Sequence, residues 1–164
     1  MSLKSMEDLF IHGLKDIYYA EKKLVQNLPR MAKKAESPEL AKAIEQHHRE
    51  TTNQVARLEQ VFKLVDMAPK GKKCPGIEGL LEEAKEVMDD AEDPNTRDAG
   101  MLAAAQSVEH YEIARYGTLK TWAATLGLKD VVSLLDQTLQ EETATDKKLS
   151  QLATTAANQK AKAA

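Results

Sequence analysis

Acidic residues in this sequence occupy positions where an amphipathic helix would place an apolar side chain. A helix packs through an apolar stripe whose residues recur at alternating steps of three and four. Near the N-terminus, Phe10, Leu14 and Ile17 begin such a stripe, and Glu21 follows in register before Leu24. A carboxylate at that position would be drawn into an apolar core.

The same interruption recurs later in the chain, where it is doubled. Glu109 and Glu112 are adjacent positions of one stripe, and Glu142 and Asp146 are adjacent positions of another. Glu50 lies one step off a further, less regular stripe. Each of these acids falls near the middle of its apolar segment. Because the middles of antiparallel helices lie at one level of a bundle, we expect these side chains to converge.

Converging buried carboxylates point to a metal site. Each buried anion loses its hydration and is repelled by the others, so the group must either take up protons or bind cations. Oxygen-rich ligation suits a pair of iron or manganese ions, whereas zinc usually takes more nitrogen or sulfur. The predicted ligands are Glu21, Glu50, Glu109, Glu112, Glu142 and Asp146. The polar stripe residues His47 and Gln54 are expected beside them, and the alternative is a set of stripe-edge acids with their heads in water.

Clear helix breakers separate the elements that must position these acids. Pro38, Pro94 and Gly127, together with a loop over residues 68–76, divide the chain. Long helices are predicted over roughly 5–35, 38–66, 96–126 and 129–156, with a shorter amphipathic helix over about 77–92. The first and second long helices, and the third and fourth, are joined by short links. Two helical hairpins joined by one long crossover form the ferritin-like antiparallel four-helix bundle, so the predicted class is all-α.

Bulk composition narrows the function classes. The 164 residues suit one domain, predicted over 1–156, and the polar tail at 157–164 is expected to fray. A net charge of −3 and a pI of about 5.9 give no support for nucleic-acid binding. No stretch approaches the ~18 apolar residues of a membrane span, and the N-terminus lacks the apolar run of a signal peptide. With the lone Cys74, these features favour the cytoplasm.

Three stretches of the sequence resemble the YciF family of bacterial ferritin-like proteins. The most specific stretch is AAAQSVEHYEIARYGTL at residues 103–119, and the others are YAEK at 19–22 and EETATD at 141–146. The resemblance implies a cytoplasmic, stress-associated homodimer whose four-helix bundle holds a di-iron site. The resemblance therefore predicts a fold and a metal site, but it does not predict which reaction the protein catalyses.

The wider ferritin and rubrerythrin group implies a ligand pattern from which this sequence departs. That pattern takes Glu from the first helix, Glu-x-x-His from the second and fourth, and Glu or Glu-x-x-Glu from the third. The first and third helices match. Asn53, three residues after Glu50, and Thr145, three after Glu142, stand where the histidines are expected. A site so short of nitrogen ligands is more anionic and should favour higher oxidation states of the metal.

Two further features leave alternatives open. A literal Glu-x-x-His occurs at Glu45 and His48, but one step around the helix from the stripe. Tyr116, one turn beyond Glu112, suits the core and could also donate a hydrogen bond to a ligand.

The sequence therefore supports two functions of different classes. The first is a di-metal carboxylate protein that handles iron, oxygen or peroxide in a stress response; as an enzyme it would be an oxidoreductase. The second is a stress-induced structural or interaction bundle without redox catalysis. Iron storage is a weaker third, because it needs a shell of many subunits.

Overall fold

The computed structural model describes residues 3–164; residues 1 and 2, the start of the predicted domain, lie outside it. Every regular element in this range is helical, which confirms the all-α class. The elements are α1 (Met6–Lys34), α2 (Pro38–Leu64), α3 (Pro75–Asp90), α4 (Pro94–Thr125), α5 (Lys129–Leu152), a π-helical turn (Ala153–Ala157) and α6 (Asn158–Ala163).

Local sequence signals set most of the helix ends. The side chains of Ser5, Ser37 and Asp93 each accept a hydrogen bond from a backbone N–H in the first turn of α1, α2 and α4. Proline, which lacks the N–H that a first turn leaves unpaired, begins α2, α3 and α4. Gly127, with φ +75°, lies in the turn between α4 and α5, as its predicted role at a helix end requires.

The five longer helices form a four-helix bundle with one additional helix. The α1–α2 and α4–α5 hairpins pack so that α2 contacts α5 and α1 contacts α4, while α3 lies against α4 and α1. Gly100 allows the close approach of α3, because a Cβ there would lie 2.3 Å from Cγ1 of Val87. The predicted bundle with a crossover helix is therefore confirmed. No helix in residues 3–164 has both the length and the apolarity to cross a membrane.

Apolar side chains fill the bundle on both sides of its middle level. One layer contains Phe10, Leu14, Leu58, Phe62, Leu119 and Leu135, and the other contains Leu24, Leu28, Met31, Leu40, Ile44 and Leu149. The middle level between these layers holds the acidic stripe residues. A polar cluster enclosed in this way is shielded from bulk water.

The C-terminal end differs from our expectation. We predicted that residues 157–164 would fray, whereas the structure continues helically to Ala163. The π-helical turn and α6 both contact α4, and Ala157 is buried. The polar composition of the tail gave no sign of this packing, because the buried contact is made by small alanine side chains.

Candidate metal centre

Four buried side chains meet at the middle level of the bundle. His47, Glu109, Glu112 and Glu142 each offer one ligand atom, and these atoms all lie within 4.8 Å of one another. They come from α2, α4 and α5, and none is more than 5% exposed. Separations of this size are those of side chains grouped around a small ion.

Glu21 joins this group from α1. Its side chain is fully buried, and its negative charge raises the pKa of Glu112, which shows that the two carboxyl groups are neighbours. The hydroxyl of Tyr116 donates a hydrogen bond to Oε1 of Glu21. Tyr116 therefore packs in the core and also holds one oxygen of a candidate ligand, which is the second role that the sequence left open.

Glu50 and Asp146, which we predicted as ligands, lie outside the group of ligand atoms. Glu50 is half-buried and accepts a 2.7 Å hydrogen bond from Nε2 of Gln46. Asp146 is 20% exposed, and its Oδ1 lies 3.2 Å from Nε2 of His110. Both residues stand at the edge of a stripe, and the inner position next to Glu50 belongs to the buried Thr51.

His47 lies closer to the centre of the site than its position in the sequence predicted. It was expected beside the ligands, but its Nε2 lies 3.2 Å from Oε1 of Glu109. Its place on the α2 stripe, one turn after Ile44, was the available signal. The Glu45–His48 pair does not contribute to the group of ligand atoms, and Glu45 is exposed.

Gln54 connects Glu142, inside the site, with Glu141 at its edge. Its Nε2 donates to Oε1 of Glu142 and, at 3.0 Å, to Oε2 of Glu141. Arg57 binds the same Glu141 through two hydrogen bonds of 2.8 and 2.9 Å. The guanidinium is thus paired with a carboxylate at the edge of the site, and it does not neutralise the buried acids directly.

Burial makes the buried carboxyl groups hard to ionise. It is the largest cause that raises the pKa of Glu21, Glu109 and Glu112 well above the usual range, and repulsion by neighbouring carboxylates adds to it. Burial also raises the pKa of Glu142, to about 7, while interactions with Glu109 and the hydrogen bond from Gln54 oppose this rise. Without cations, the cluster therefore holds protons at neutral pH.

The imidazole of His47 is neutral in the same surroundings. Burial lowers its pKa to about 4, and His48 on the same helix adds a smaller effect. A neutral imidazole keeps a lone pair on one ring nitrogen, which is the form that binds metal ions.

Unpaired polar atoms show that the site suits a cation. Eight buried atoms of the site have no hydrogen-bond partner: Oε2 of Glu21, Glu109 and Glu142, both carboxylate oxygens of Glu112, Oε1 of Gln54 and both ring nitrogens of His47. A buried acceptor left unsatisfied costs about 1–3 kcal/mol. Divalent ions would use the lone pairs of these oxygens, so the residues present fit a metal centre rich in oxygen ligands with one nitrogen ligand.

Fold and site together define a helical-bundle protein with a buried carboxylate–histidine cluster. The family described as "Domain of unknown function (DUF892)" matches residues 5–162, and the chain belongs to this family. Protein YciF of Escherichia coli K12 is 46% identical over 162 residues, which are 98% of each chain. The resemblance to the YciF family is thus confirmed.

Solved structures of related proteins have the same fold. The structure of YcfI from Rhodopseudomonas palustris, whose description proposes a structural role, gives a TM-score of 0.90 at 46% identity over 91% of this chain and 95% of that one. The E. coli stress protein YciF gives 0.89 at 47% identity over 92% and 96%. A Xanthomonas campestris protein gives 0.71 at 23% identity over 91% of each chain, which is a likeness of fold alone.

Proposed function

We propose that this chain is a ferritin-like protein that binds two iron or manganese ions in its bundle core. The observation that carries the proposal is the set of unpaired ligand atoms on five converging side chains. The metals would be held by Glu21, His47, Glu109, Glu112 and Glu142. Glu50 and Asp146 would act from the edge, where each already has a hydrogen-bonding or ionic partner.

The hydrogen bonds of the carboxylates determine how many oxygens each one can offer to a metal ion. Tyr116 holds one oxygen of Glu21, and Gln54 holds one oxygen of Glu142, so each offers its other oxygen. Both oxygens of Glu112 are free, which suits a ligand shared between two ions. Iron or manganese bound here would supply one-electron chemistry towards oxygen or peroxide.

The cellular setting of the proposal comes from the relatives. Because the E. coli relative is described as a stress protein, we place this chain in a bacterial stress response. The cytoplasmic location and the homodimer are proposed from the resemblance to the YciF family. Sedimentation of the purified protein tests the dimer and excludes or reveals a storage shell of many subunits.

Metal analysis of protein purified without chelators tests the metal site. We expect about two iron or manganese ions per chain, and Fe(II) added to metal-free protein should bind in the same ratio. Glu45→Gln provides a control variant, because it neutralises an exposed carboxylate of α2 that lies outside the site. This variant should bind as many ions as wild type. The proposal would be overturned if the protein is purified without metal and also fails to bind added Fe(II).

A structural or interaction role without redox chemistry is the second candidate. The proposed structural role of the R. palustris relative favours it. In this case metal would stabilise the bundle, and loaded protein would consume neither dioxygen nor peroxide. Oxygen-electrode measurements on Fe(II)-loaded protein separate the two candidates.

A further inference from the structure

A mainly apolar cavity adjoins the candidate metal centre, and the centre of a water-sized sphere can reach about 20 Å³ of it. Its wall includes side chains of all five long helices and is built mainly of carbon, from residues such as Leu28, Ile44, Ala105, Val108 and Leu149. His47 and Glu109, two members of the candidate centre, complete the wall at one end. A space of this volume holds about one small molecule.

An open groove lies on the outer side of the same cavity. The groove, about 490 Å³ in volume, runs between α1 and α3 and is lined at its rim by charged residues such as Lys34, Glu78 and Asp89. Met31, Leu81 and Ala84 line both the groove and the cavity. These three side chains therefore separate the cavity from this groove, and Leu81 and Ala84 belong to the crossover helix α3. On the α2–α5 side, Ala43, Thr145 and Leu149 separate the cavity from a smaller opening of about 180 Å³.

We propose that this cavity is the access site for dioxygen to the metal centre. A molecule that crosses an apolar wall must leave its hydrogen bonds to water behind. Dioxygen has none to lose, whereas hydrogen peroxide is a donor and an acceptor at both ends. The inference rests on the proposed metal site and specifies its substrate as dioxygen rather than peroxide.

Xenon is a direct probe of the cavity that needs no metal. Apolar cavities in proteins bind xenon. In crystals of the full chain under xenon pressure, we expect xenon between Ala105 and His47. The Ala105→Val variant should exclude it, because two added methyl groups fill the cavity. Ala103→Val is the matched control: the same change on α4, at an exposed position.

Fe(II) oxidation followed by stopped flow tests the substrate. In the dioxygen reaction, two Fe(II) ions lose one electron each, and dioxygen takes up these two electrons and two protons to give hydrogen peroxide. With peroxide as oxidant, the same two electrons and two further protons give two water molecules. Because overpacking raises the barrier to passage, we expect Ala105→Val to slow the dioxygen reaction about tenfold and to leave the peroxide reaction within about twofold of wild type.

Leu81→Ala tests the proposal in the opposite direction and covers the case in which Ala105→Val does not fold. Shortening a half-buried side chain that separates the cavity from the groove should speed the dioxygen reaction. Absence of xenon from the wild-type cavity would overturn the inference, as would variants that bind iron normally but react with dioxygen at the wild-type rate. Xenon in the cavity of a protein that binds no iron would overturn the metal site instead.

Discussion

At the residue scale, the defining feature is a set of buried carboxyl oxygens that have no hydrogen-bond partner in the protein. Glu112 is the clearest member, because it is fully buried and neither of its oxygens accepts a hydrogen bond. Glu21, whose charge raises the pKa of Glu112 more than any other charge does, is also an acid. Such a residue weakens the metal-free fold, so its presence needs a compensating function.

Glu112→Gln should separate stability from metal binding. The amide has nearly the same shape and needs no proton in order to be buried neutral, so we expect the metal-free variant to be more stable than wild type by about 1–3 kcal/mol. Bound iron should fall from about two ions per chain to one or none. Urea unfolding of metal-free protein measures the first effect and metal analysis the second. A less stable metal-free variant would show that Glu112 is structural.

The sequence was informative about which residue types lie in the core and less so about their final positions. Glu21 and Glu112 keep strict register, and both are buried as the register requires. Glu50 and Asp146 were harder. Glu50 lies one step off its stripe, and Asp146 keeps the register of its stripe but stands at the edge of it. Only the neighbouring helix decides whether such a residue points into the bundle. For Asp146 that neighbour is His110, which a stripe analysis of α5 does not include.

At the element scale, one buried acid joins the two helical hairpins. Asp98, in the first turns of α4, is 3% exposed, and its oxygens accept hydrogen bonds from the backbone N–H groups of Glu36 (2.9 Å) and Ser37 (2.7 Å). Those groups belong to the turn between α1 and α2. The helix boundaries were predictable from prolines and caps, but this contact was not, since its partners are about 60 positions apart.

Asp98→Ala should therefore loosen the α1–α2 turn. The variant leaves two part-buried N–H groups without their acceptor, at a cost of about 1–3 kcal/mol in the free energy of unfolding. Asp90→Ala, which removes an exposed acid near the end of α3, is the control and should change little. Hydrogen exchange of residues 36 and 37 gives the local measurement. Equal stability of the two variants would contradict the role of Asp98.

At the scale of the whole molecule, the buried acids couple the stability of the bundle to protons and to metal. The cluster of acids lies between two apolar layers, where ionised carboxylates are unfavourable. Binding of either protons or metal ions reduces this cost. Protons and metal ions therefore compete for the same oxygens, and metal affinity should rise with pH. This competition gives a test that uses the folded protein as a whole.

The thermal stability of metal-free protein should fall as pH rises from 6.5 to 8. The pKa of Glu142 is raised from 4.5 to about 7 in the folded state, so the stability that its proton contributes is lost progressively between pH 4.5 and about 7. The loss is about 3 kcal/mol in all, of which about 1 kcal/mol falls above pH 6.5. Glu21, Glu109 and Glu112 act in the same direction. His47, with its pKa lowered to about 4, opposes them only below pH 6.5, its ordinary value.

Calorimetry of metal-free and metal-loaded protein across this pH range measures the effect. Metal-loaded protein should show the opposite slope, because each ion replaces protons and gains affinity as they leave. Glu142→Gln removes one titrating group and should flatten the metal-free slope without changing its sign, since the three other acids remain. A metal-free protein whose Tm is constant or rises from pH 6.5 to 8 would mean that these carboxyl groups ionise freely. The cluster would then be open to water, and the enclosed metal centre inferred from its unpaired oxygens would not exist.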